Sequence, residues 1–330
     1  MHSGSLYTVV LGRIVERMSV LGPLLFNLYL NDLFYFMHDV CNFADDTTPF
    51  ACNLDLENVL QSLEIDSAQA LIWFDLKYMK LNAEKCHLML CGNKATQRSV
   101  KIGTEEIFRS EEEKLLGVLI DSDLKFESYL SSLCKKVGCK ITILCKIANF
   151  LDFIQKQLLF KVFIESQFSY CPLIWMFCSR KMNRRINSLQ ERALRIVYND
   201  YTSSYDDLLR KDNCLTIHQN NIHKVAIEMF KIKNGLAPEF IEAFFKKHDG
   251  PTTRLNRDFL RPNVDTVYNG QMSFKHFGPI VWDEMLPEKY KICTSLDKFK
   301  ESLKDWIPLN CCCRLCRHYE QHVGFIDTFE

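Results

Sequence analysis

The chain has 330 residues, of which 47% are hydrophobic and 25% are charged, and its formal net charge is zero. This is the composition of a globular protein that buries a core, and the length allows two domains or one domain with a long appendage. The odd count of 15 cysteines argues against a complete disulfide framework. Most of these cysteines lie in apolar contexts, which is typical of reduced thiols in an intracellular protein.

The sequence predicts neither a secretion signal nor a membrane span. Its start, "MHSGSLYTVVLGRIVERM", lacks a basic segment followed by an apolar run and a small-residue cleavage site. The most apolar stretch, "LGPLLFNLYLNDLFYFM", is interrupted by Asn27, Asn31 and Asp32. We therefore expect a protein of the cytoplasm or nucleus that is not secreted and has no membrane partner.

The first 126 residues are predicted to form a helix, a hairpin, a second helix and further strands, in that order. Gly22 and Pro23 suit the start of a helix over 20–37. Two strands joined by the turn "DDTT" follow, then a helix capped by Asn53 or Asp55, then two more strands. The four strands are predicted at 39–44, 48–52, 86–91 and 114–120. This order favours an α+β fold in which an antiparallel sheet carries helices on one face.

From residue 127 onward the pattern becomes helical. A stripe at 3.6-residue spacing is formed by Leu130, Leu133, Cys134, Val137, Ile141 and Leu144. Further helices are predicted at 153–166, 181–198, 217–234 and 295–306. Gly235 stands where a glycine commonly ends a helix. Because glycine and proline recur between 250 and 290, that segment is predicted to be irregular or weakly stranded.

Two adjacent acids, Asp45 and Asp46, lie in the predicted turn of the first hairpin, within "CNFADDTTPF". Aspartate favours turns because its side chain bonds to nearby backbone groups, so the pair could serve the turn alone. Paired carboxylates can also hold divalent cations, and two-metal enzymes use such ions to clamp the reacting oxygens of phosphoryl transfer. The dipeptide by itself leaves both interpretations open.

The hairpin belongs to an ordered series of eight segments, which are "SVLGPLLFNLYLNDL", "FADDT", "MKLNAEKCHLML", "KLLGVLIDSDLKFESYL", "SQFSYCPLIWMFCSR", "ERALRIVYNDYTSSYDDLL", "FGPIVWDEMLP" and "FKESLKDWIP". From about residue 18 to residue 316, this series resembles the reverse transcriptase of non-LTR (LINE-type) retrotransposons, in particular jockey-like elements. The resemblance implies a partial polymerase palm over 1–126, a helical basic thumb over 127–235, and an irregular C-terminal appendage with a cysteine-rich tail over 236–330.

The resemblance also implies roles for individual residues. Asp45 and Asp46 would be catalytic residues and ligands of Mg²⁺, and Lys85 would be a catalytic general acid for the leaving pyrophosphate. A solvated lysine at a strand end is the alternative for Lys85. Nucleotide and primer contacts would come from Phe43, Leu116, Gly117 and Val118. The implied activity is RNA-directed DNA polymerisation, with an RNA template and a DNA primer as partners.

Two departures from the family pattern bear on that activity. Reverse transcriptases need a third carboxylate on a strand upstream of the helix at 20–37, and the first 18 residues contain no aspartate. Where the family has Pro-Gln-Gly-Ser, this chain has Glu16, Arg17, Met18 and Ser19, so a side chain stands where close backbone approach needs glycine. We therefore expect a truncated element copy that binds Mg²⁺ weakly and does not polymerise.

The charges are unevenly distributed along the chain. Residues 1–132 hold 11 basic and 19 acidic side chains, whereas residues 133–195 hold 12 basic and 3 acidic ones. The basic segment predicts contacts with nucleic-acid phosphates from Lys135, Lys136, Lys140, Lys146, Arg180, Lys181, Arg184 and Arg185. Trp175 and Phe177 either stack on bases or belong to the core. Solvated helix faces would also explain the charge pattern. The alternatives to polymerisation are non-catalytic nucleic-acid binding by the basic segment, or a relic without selected activity.

The tail "CCCRLCRHYEQH" contains possible zinc ligands. Cys313 and Cys316 have the Cys-x-x-Cys spacing, and His318 and His322 follow. Because the usual second ligand pair twelve or more residues away is absent, a thiol-rich tail without zinc is the expected state.

Overall fold

The structure is a computed structural model that describes residues 5–10, 22–44, 46–92, 98–247, 257–264, 266, 270–309, 311 and 313. The chain divides into two compact units, Met1–Leu124 and Lys125–Glu330. The described elements are mixed helices and small sheets, so the coarse prediction of an α+β fold is confirmed. Among the described residues, every helix is too short or too polar to cross a membrane.

The first unit is built on a six-stranded sheet. Its strands are β1 (Ser5–Val10), β2 (Val40–Phe43), β3 (Asp46–Asn53), β4 (His87–Leu90), β5 (Ser99–Ile102) and β6 (Glu105–Ser110). They are ordered β2-β3-β1-β4-β6-β5, and all neighbours are antiparallel except the parallel pair β4–β6. The sheet is therefore mixed, whereas the sequence predicted an antiparallel one.

Strand β1 was not predicted from the sequence, yet it lies near the middle of the sheet. It pairs antiparallel with β3 on one side and with β4 on the other. Its six residues, "SLYTVV", are rich in β-branched and aromatic types, but the run is too short for periodicity to distinguish it from a loop. Only pairing with strands far along the chain identifies it.

Two helical segments accompany the sheet. The predicted helix over 20–37 is α1 (Gly22–Leu30), continued as a 3₁₀ turn from Asn31 to Tyr35. Asp55 caps the start of helix α2 (Leu56–Leu76), because its carboxylate accepts a hydrogen bond from the Glu57 backbone N–H at 3.1 Å. One side of α2 is buried against the sheet and α1, and the core includes Leu33, Leu63, Trp73, Leu88 and Val100.

The strand predicted at 114–120 is a tight hairpin. Strands β7 (Glu112–Leu115) and β8 (Val118–Asp121) pair with each other in a separate two-stranded sheet. Leu116 and Gly117 form the two-residue turn and have φ values of 47° and 85°. Two consecutive positive φ values match the primed turns that close hairpins, and glycine adopts such a φ without strain. Periodicity alone did not locate this turn because the apolar run continues through it.

The second unit is helical over most of its described residues. Its α-helices are α3 (Glu127–Ile147), α4 (Phe153–Leu159), α5 (Pro172–Trp175), α6 (Arg180–Tyr198), α7 (Tyr205–Asp212), α8 (Ile217–Lys233), α9 (Glu239–Glu242), α10 (Phe274–Ile280), α11 (Glu288–Lys291) and α12 (Leu296–Leu303). The predicted stripe of six apolar residues on α3 is buried in full. A π-helical segment extends α4 from Phe160 to Ile164.

The segment predicted as irregular between 250 and 290 is helical over 274–285 and again from 288, so that prediction was wrong there. Helix α10 begins at Ser273, whose hydroxyl accepts from the His276 N–H, and it continues as a π-helix from Val281 to Met285. Gly278 permits close packing, because a Cβ there would lie 2.6 Å from the Met229 sulfur on α8. Here glycine and proline belong to a packed helix and not to a loop.

One hydrophobic core joins α8 to the helices that follow it. Trp282 is fully buried, and Phe230 of α8 stacks on Phe299 of α12 with ring centroids 4.4 Å apart. The indole N–H of Trp282 donates to the Asp258 carboxylate at 2.6 Å. Residues on both sides of Gly235 therefore share a core.

Candidate functional site

The hairpin that carries the adjacent acids is short and rigid. Phe43 pairs with Asp46, so the loop between β2 and β3 consists of two residues. The first of them, Ala44, has a φ of 54°, in the left-handed region. Across the hairpin, the Thr47 hydroxyl donates to the Asn42 side-chain oxygen at 2.8 Å. The hairpin therefore holds the Asp46 backbone in a fixed register at its tip.

The predicted catalytic pair is described only in part. Asp46 is the first residue of β3 and is half-buried, whereas the sequence predicted it in the turn. Asp45 lies outside the described residues. Phe43, predicted to contact nucleotide and primer, is 65% exposed at the end of β2. An exposed aromatic ring beside a carboxylate is able to contact a base or sugar.

Strand β1 is a neighbour of β3 in the sheet, and it contains no acidic residue. Because β1 is antiparallel to β3, its last residue, Val10, lies at the end of the strand nearer the hairpin tip. The structure therefore gives Asp46 no carboxylate from this neighbouring strand.

Lys85 lies at the same edge of the sheet as the hairpin tip. It is exposed and ends a 3₁₀ turn just before β4. The first residue of β4, His87, pairs with Val10 at the tip end of β1. Since β1 separates β3 from β4, the lines of β3 and β4 are about 10 Å apart. A lysine side chain is long enough to approach a polyanion held near Asp46.

The predicted primer-contacting residues Leu116, Gly117 and Val118 form the turn between β7 and β8. Val118 is buried and belongs to the strand, whereas Leu116 has 42% of its surface exposed. These residues therefore present a compact backbone turn, with one apolar side chain at its surface.

The predicted phosphate contacts lie on α3 and α6, two helices that pack against each other. Seven of the eight side chains are exposed, namely Lys135, Lys136, Lys146, Arg180, Lys181, Arg184 and Arg185. The eighth, Lys140, is half-buried, and its ammonium group lies 5.8 Å from the centre of the Phe163 ring. Burial and then the nearby Lys136 lower the pKa of Lys140. We refer to these eight residues as the basic helical pair.

The three acids of residues 133–195 do not neutralise this surface, because each has another role. Asp152 caps α4 by accepting from the Gln155 N–H at 2.8 Å. Glu165 is half-buried, and burial raises its pKa. Glu191 forms an ion pair with Arg195, one turn along α6. Within this segment, the positive charge of the basic helical pair therefore exceeds the negative charge of the acids, and seven of its eight side chains are exposed.

The two aromatic residues beside the basic segment belong to the core. Trp175 is 2% exposed, and its indole N–H donates to the Tyr170 carbonyl at 3.0 Å. Phe177 packs edge-on against Phe277 with ring centroids 5.0 Å apart. Neither ring is presented for base stacking.

One of the predicted zinc ligands lies in a buried cluster that the sequence did not predict. Cys313 Sγ is 3.3 Å from His218 Nε2, and Cys311 Sγ is 3.7 Å from the same nitrogen. Cys316, His318 and His322 lie outside the described residues. Sequence reasoning missed His218 because 93 residues separate it from Cys311.

No protein-family model matches the chain, and neither a curated protein nor a solved structure matches it. The fold and the sites thus define a mixed α+β chain with an acidic hairpin, an exposed basic helical pair and a buried thiol–imidazole cluster.

Proposed function

We propose that this chain is a reverse-transcriptase-like polypeptide of the non-LTR retrotransposon type that binds nucleic-acid backbone without polymerising. The observation that carries the binding function is the exposure of the basic helical pair while the acids of the same segment are engaged elsewhere. Lysine and arginine side chains on such a surface replace the counterions condensed on nucleic acid, whatever its sequence. The partners are nucleic acids, and the expected location is the cytoplasm or nucleus.

The arrangement of the first unit supports the polymerase ancestry. A two-residue hairpin holds Asp46 at one edge of a sheet, an exposed Phe43 stands beside it, and Lys85 lies at the same edge. These are the positions that the resemblance assigns to metal binding, nucleotide contact and leaving-group protonation. With a carboxylate missing from β1, we expect Mg²⁺ to bind weakly, because that ion requires near-octahedral oxygen ligation and otherwise keeps its water.

A salt titration of binding tests the proposed function. The full chain is added to a fluorescently labelled DNA duplex and to an RNA–DNA duplex, and the association constant is measured by anisotropy at increasing salt. We expect a straight log–log plot with a slope of about −0.9 for each phosphate neutralised, and similar affinities for unrelated DNA sequences. Absence of binding, or an affinity indifferent to salt, would exclude the proposal and leave a relic without activity.

Polymerisation is the second candidate function, favoured by Asp46 and Lys85 at one sheet edge. Primer extension on an RNA template with Mg²⁺ tests it, with Asp45→Ala and Asp46→Ala as matched inactive variants. We expect no extension by the unmodified chain. Extension that disappears in both variants would establish catalysis.

A further inference from the structure

We propose that His218, Cys311 and Cys313 form a zinc site that fastens the C-terminal segment to helix α8. All three side chains are buried, with exposed fractions of 7%, 2% and 6%, respectively. The imidazole nitrogen and the two sulfurs all lie within 4.8 Å of one another. Nitrogen and sulfur donors of this kind are the usual ligands of zinc in proteins.

The distances between these atoms fit a tetrahedral zinc ion. With a Zn–S bond of about 2.3 Å and a Zn–N bond of about 2.0 Å, the nitrogen-to-sulfur edge of a tetrahedron is about 3.5 Å. The two edges from His218 Nε2, 3.3 Å and 3.7 Å, bracket that value. The position of the imidazole nitrogen relative to each sulfur therefore fits a shared zinc ion.

The backbone beside the cluster also suits a metal. The Cys313 backbone N–H points to the Cys311 sulfur at 3.5 Å, as it would to stabilise a thiolate. If Nε2 binds the metal, the ring proton stays on His218 Nδ1, which is buried and has no hydrogen-bond partner among the described residues. Ligating histidines usually donate that proton to an acceptor, so this supporting contact is absent from the described residues.

The site ends a series of contacts between α8 and the chain from α12 onward. Phe230 stacks on Phe299, His223 stacks on Trp306, and His218 meets the two cysteines. His223 Nε2 also lies 2.7 Å from the Trp306 carbonyl oxygen. Residues successively nearer the start of α8 contact residues successively later in the chain, so the contacting residues after the start of α12 run antiparallel to α8. A zinc ion would close a loop of more than 90 residues at the first turn of that helix.

Binding deprotonates the cysteines, so each zinc releases protons to solvent and affinity rises with pH. The sequence offers a further thiol, Cys316, at the Cys-x-x-Cys spacing from Cys313. It lies outside the described residues, and the inference rests on the three described donors.

Metal analysis of the full chain tests this site. The protein is expressed in zinc-supplemented medium, purified without chelator and measured by plasma mass spectrometry. We expect one zinc per chain, and loss of most of it in His218→Gln, Cys311→Ser and Cys313→Ser. The controls are His223→Gln, a half-buried histidine on the same helix, and Cys91→Ser, a buried cysteine of the first unit, and both should retain the metal.

A second measurement does not depend on the folding of variants. Apoprotein prepared from the unmodified chain is titrated with Co²⁺, and the visible and near-ultraviolet absorption is recorded. We expect the absorption of tetrahedral cobalt with thiolate ligands, lost on adding zinc in equal amount. The proposal is overturned if the unmodified chain holds neither metal, or if the three ligand variants retain one zinc per chain.

Discussion

Among the described residues, the acidic hairpin and the basic helical pair are two regions that we propose to contact a nucleic acid, and they differ in what they require. The hairpin needs several carboxylates within a few ångströms of one another, and the structure describes one of them, Asp46. The basic helical pair needs only many charges on an accessible surface, and seven of its eight side chains are exposed. Metal-dependent catalysis needs several ligands around one ion and is lost when one ligand is missing. Electrostatic binding instead weakens step by step as charges are removed.

Neutralising half of the basic helical pair is the most severe test of this comparison. The variant changes four exposed residues to glutamine, namely Lys135, Lys136, Lys181 and Arg185. For each phosphate that is no longer neutralised, the magnitude of the salt slope should fall by about 0.9, and affinity near 0.1 M salt should fall by at least about 100-fold in total. Anisotropy titrations measure both quantities.

The matched control removes four positive charges from exposed positions elsewhere in the second unit, Lys246, Lys289, Lys298 and Lys300. It should change the salt slope by less than the about 0.9 expected for a single phosphate. Equal reductions of affinity in the two variants would mean that net charge alone, and not the α3–α6 surface, governs binding.

A smaller effect is expected from loosening the hairpin. Thr47→Val removes the hydroxyl that donates to Asn42 across the two strands and keeps the side-chain volume nearly constant. Losing one such hydrogen bond should lower the free energy of unfolding of the first unit by about 1 kcal/mol. Urea denaturation measures the change, and Thr104→Val in the β5–β6 turn is the control. An unchanged midpoint would mean that this bond does not stabilise the hairpin.

The stability of the first unit should depend on pH through His38, which precedes β2 at the base of the hairpin. Its Nδ1 lies 2.6 Å from the carboxylate of Asp66, a residue of α2 that is 1% exposed. The hydrogen bond with Asp66, followed by the charges of Asp66 and Asp39, raises the pKa of His38 above its usual value of 6.5. The contribution of the His38–Asp66 pair to the stability of the folded state is therefore fully present below about pH 6.5. It is lost as pH rises through the higher pKa of His38 in the folded state.

Urea midpoints measured across this range for the unmodified chain and for His38→Gln check that prediction. The variant should be less stable at low pH, and the two curves should converge as pH rises. Parallel curves would contradict the role assigned to the histidine.

The smallest effect is expected at the acid itself. Asp46→Asn should leave nucleic-acid affinity within about twofold at fixed salt, because in the proposed function the phosphate contacts come from the basic helical pair. If the substitution strengthened binding tenfold, the hairpin would be close enough to the bound backbone to repel it. The two regions could then no longer be treated as independent.

The features of the fold and the site that could be predicted from the sequence are those whose contacting residues lie close together along the chain. The buried stripe of α3 follows from local periodicity, and the Asp55 cap follows from one residue. Strand β1 and the pairing of His218 with Cys311 depend on contacts between distant residues. Local pattern carries no information about either. The helix at Phe274–Ile280 was missed because Gly278 serves packing against Met229, a role that composition does not distinguish from a turn.

The central position of β1 also has a consequence for biosynthesis. Val10 pairs with His87, so 77 residues must be translated between the two partners. At roughly 5–20 residues per second, that strand waits about 4–15 seconds before both of its neighbours exist. During this interval β1 can pair with β3 once the hairpin has been made, but the edge of β1 that will face β4 stays uncovered and can pair with another nascent chain. Slower translation before residue 87 should therefore increase aggregation of the newly made polypeptide.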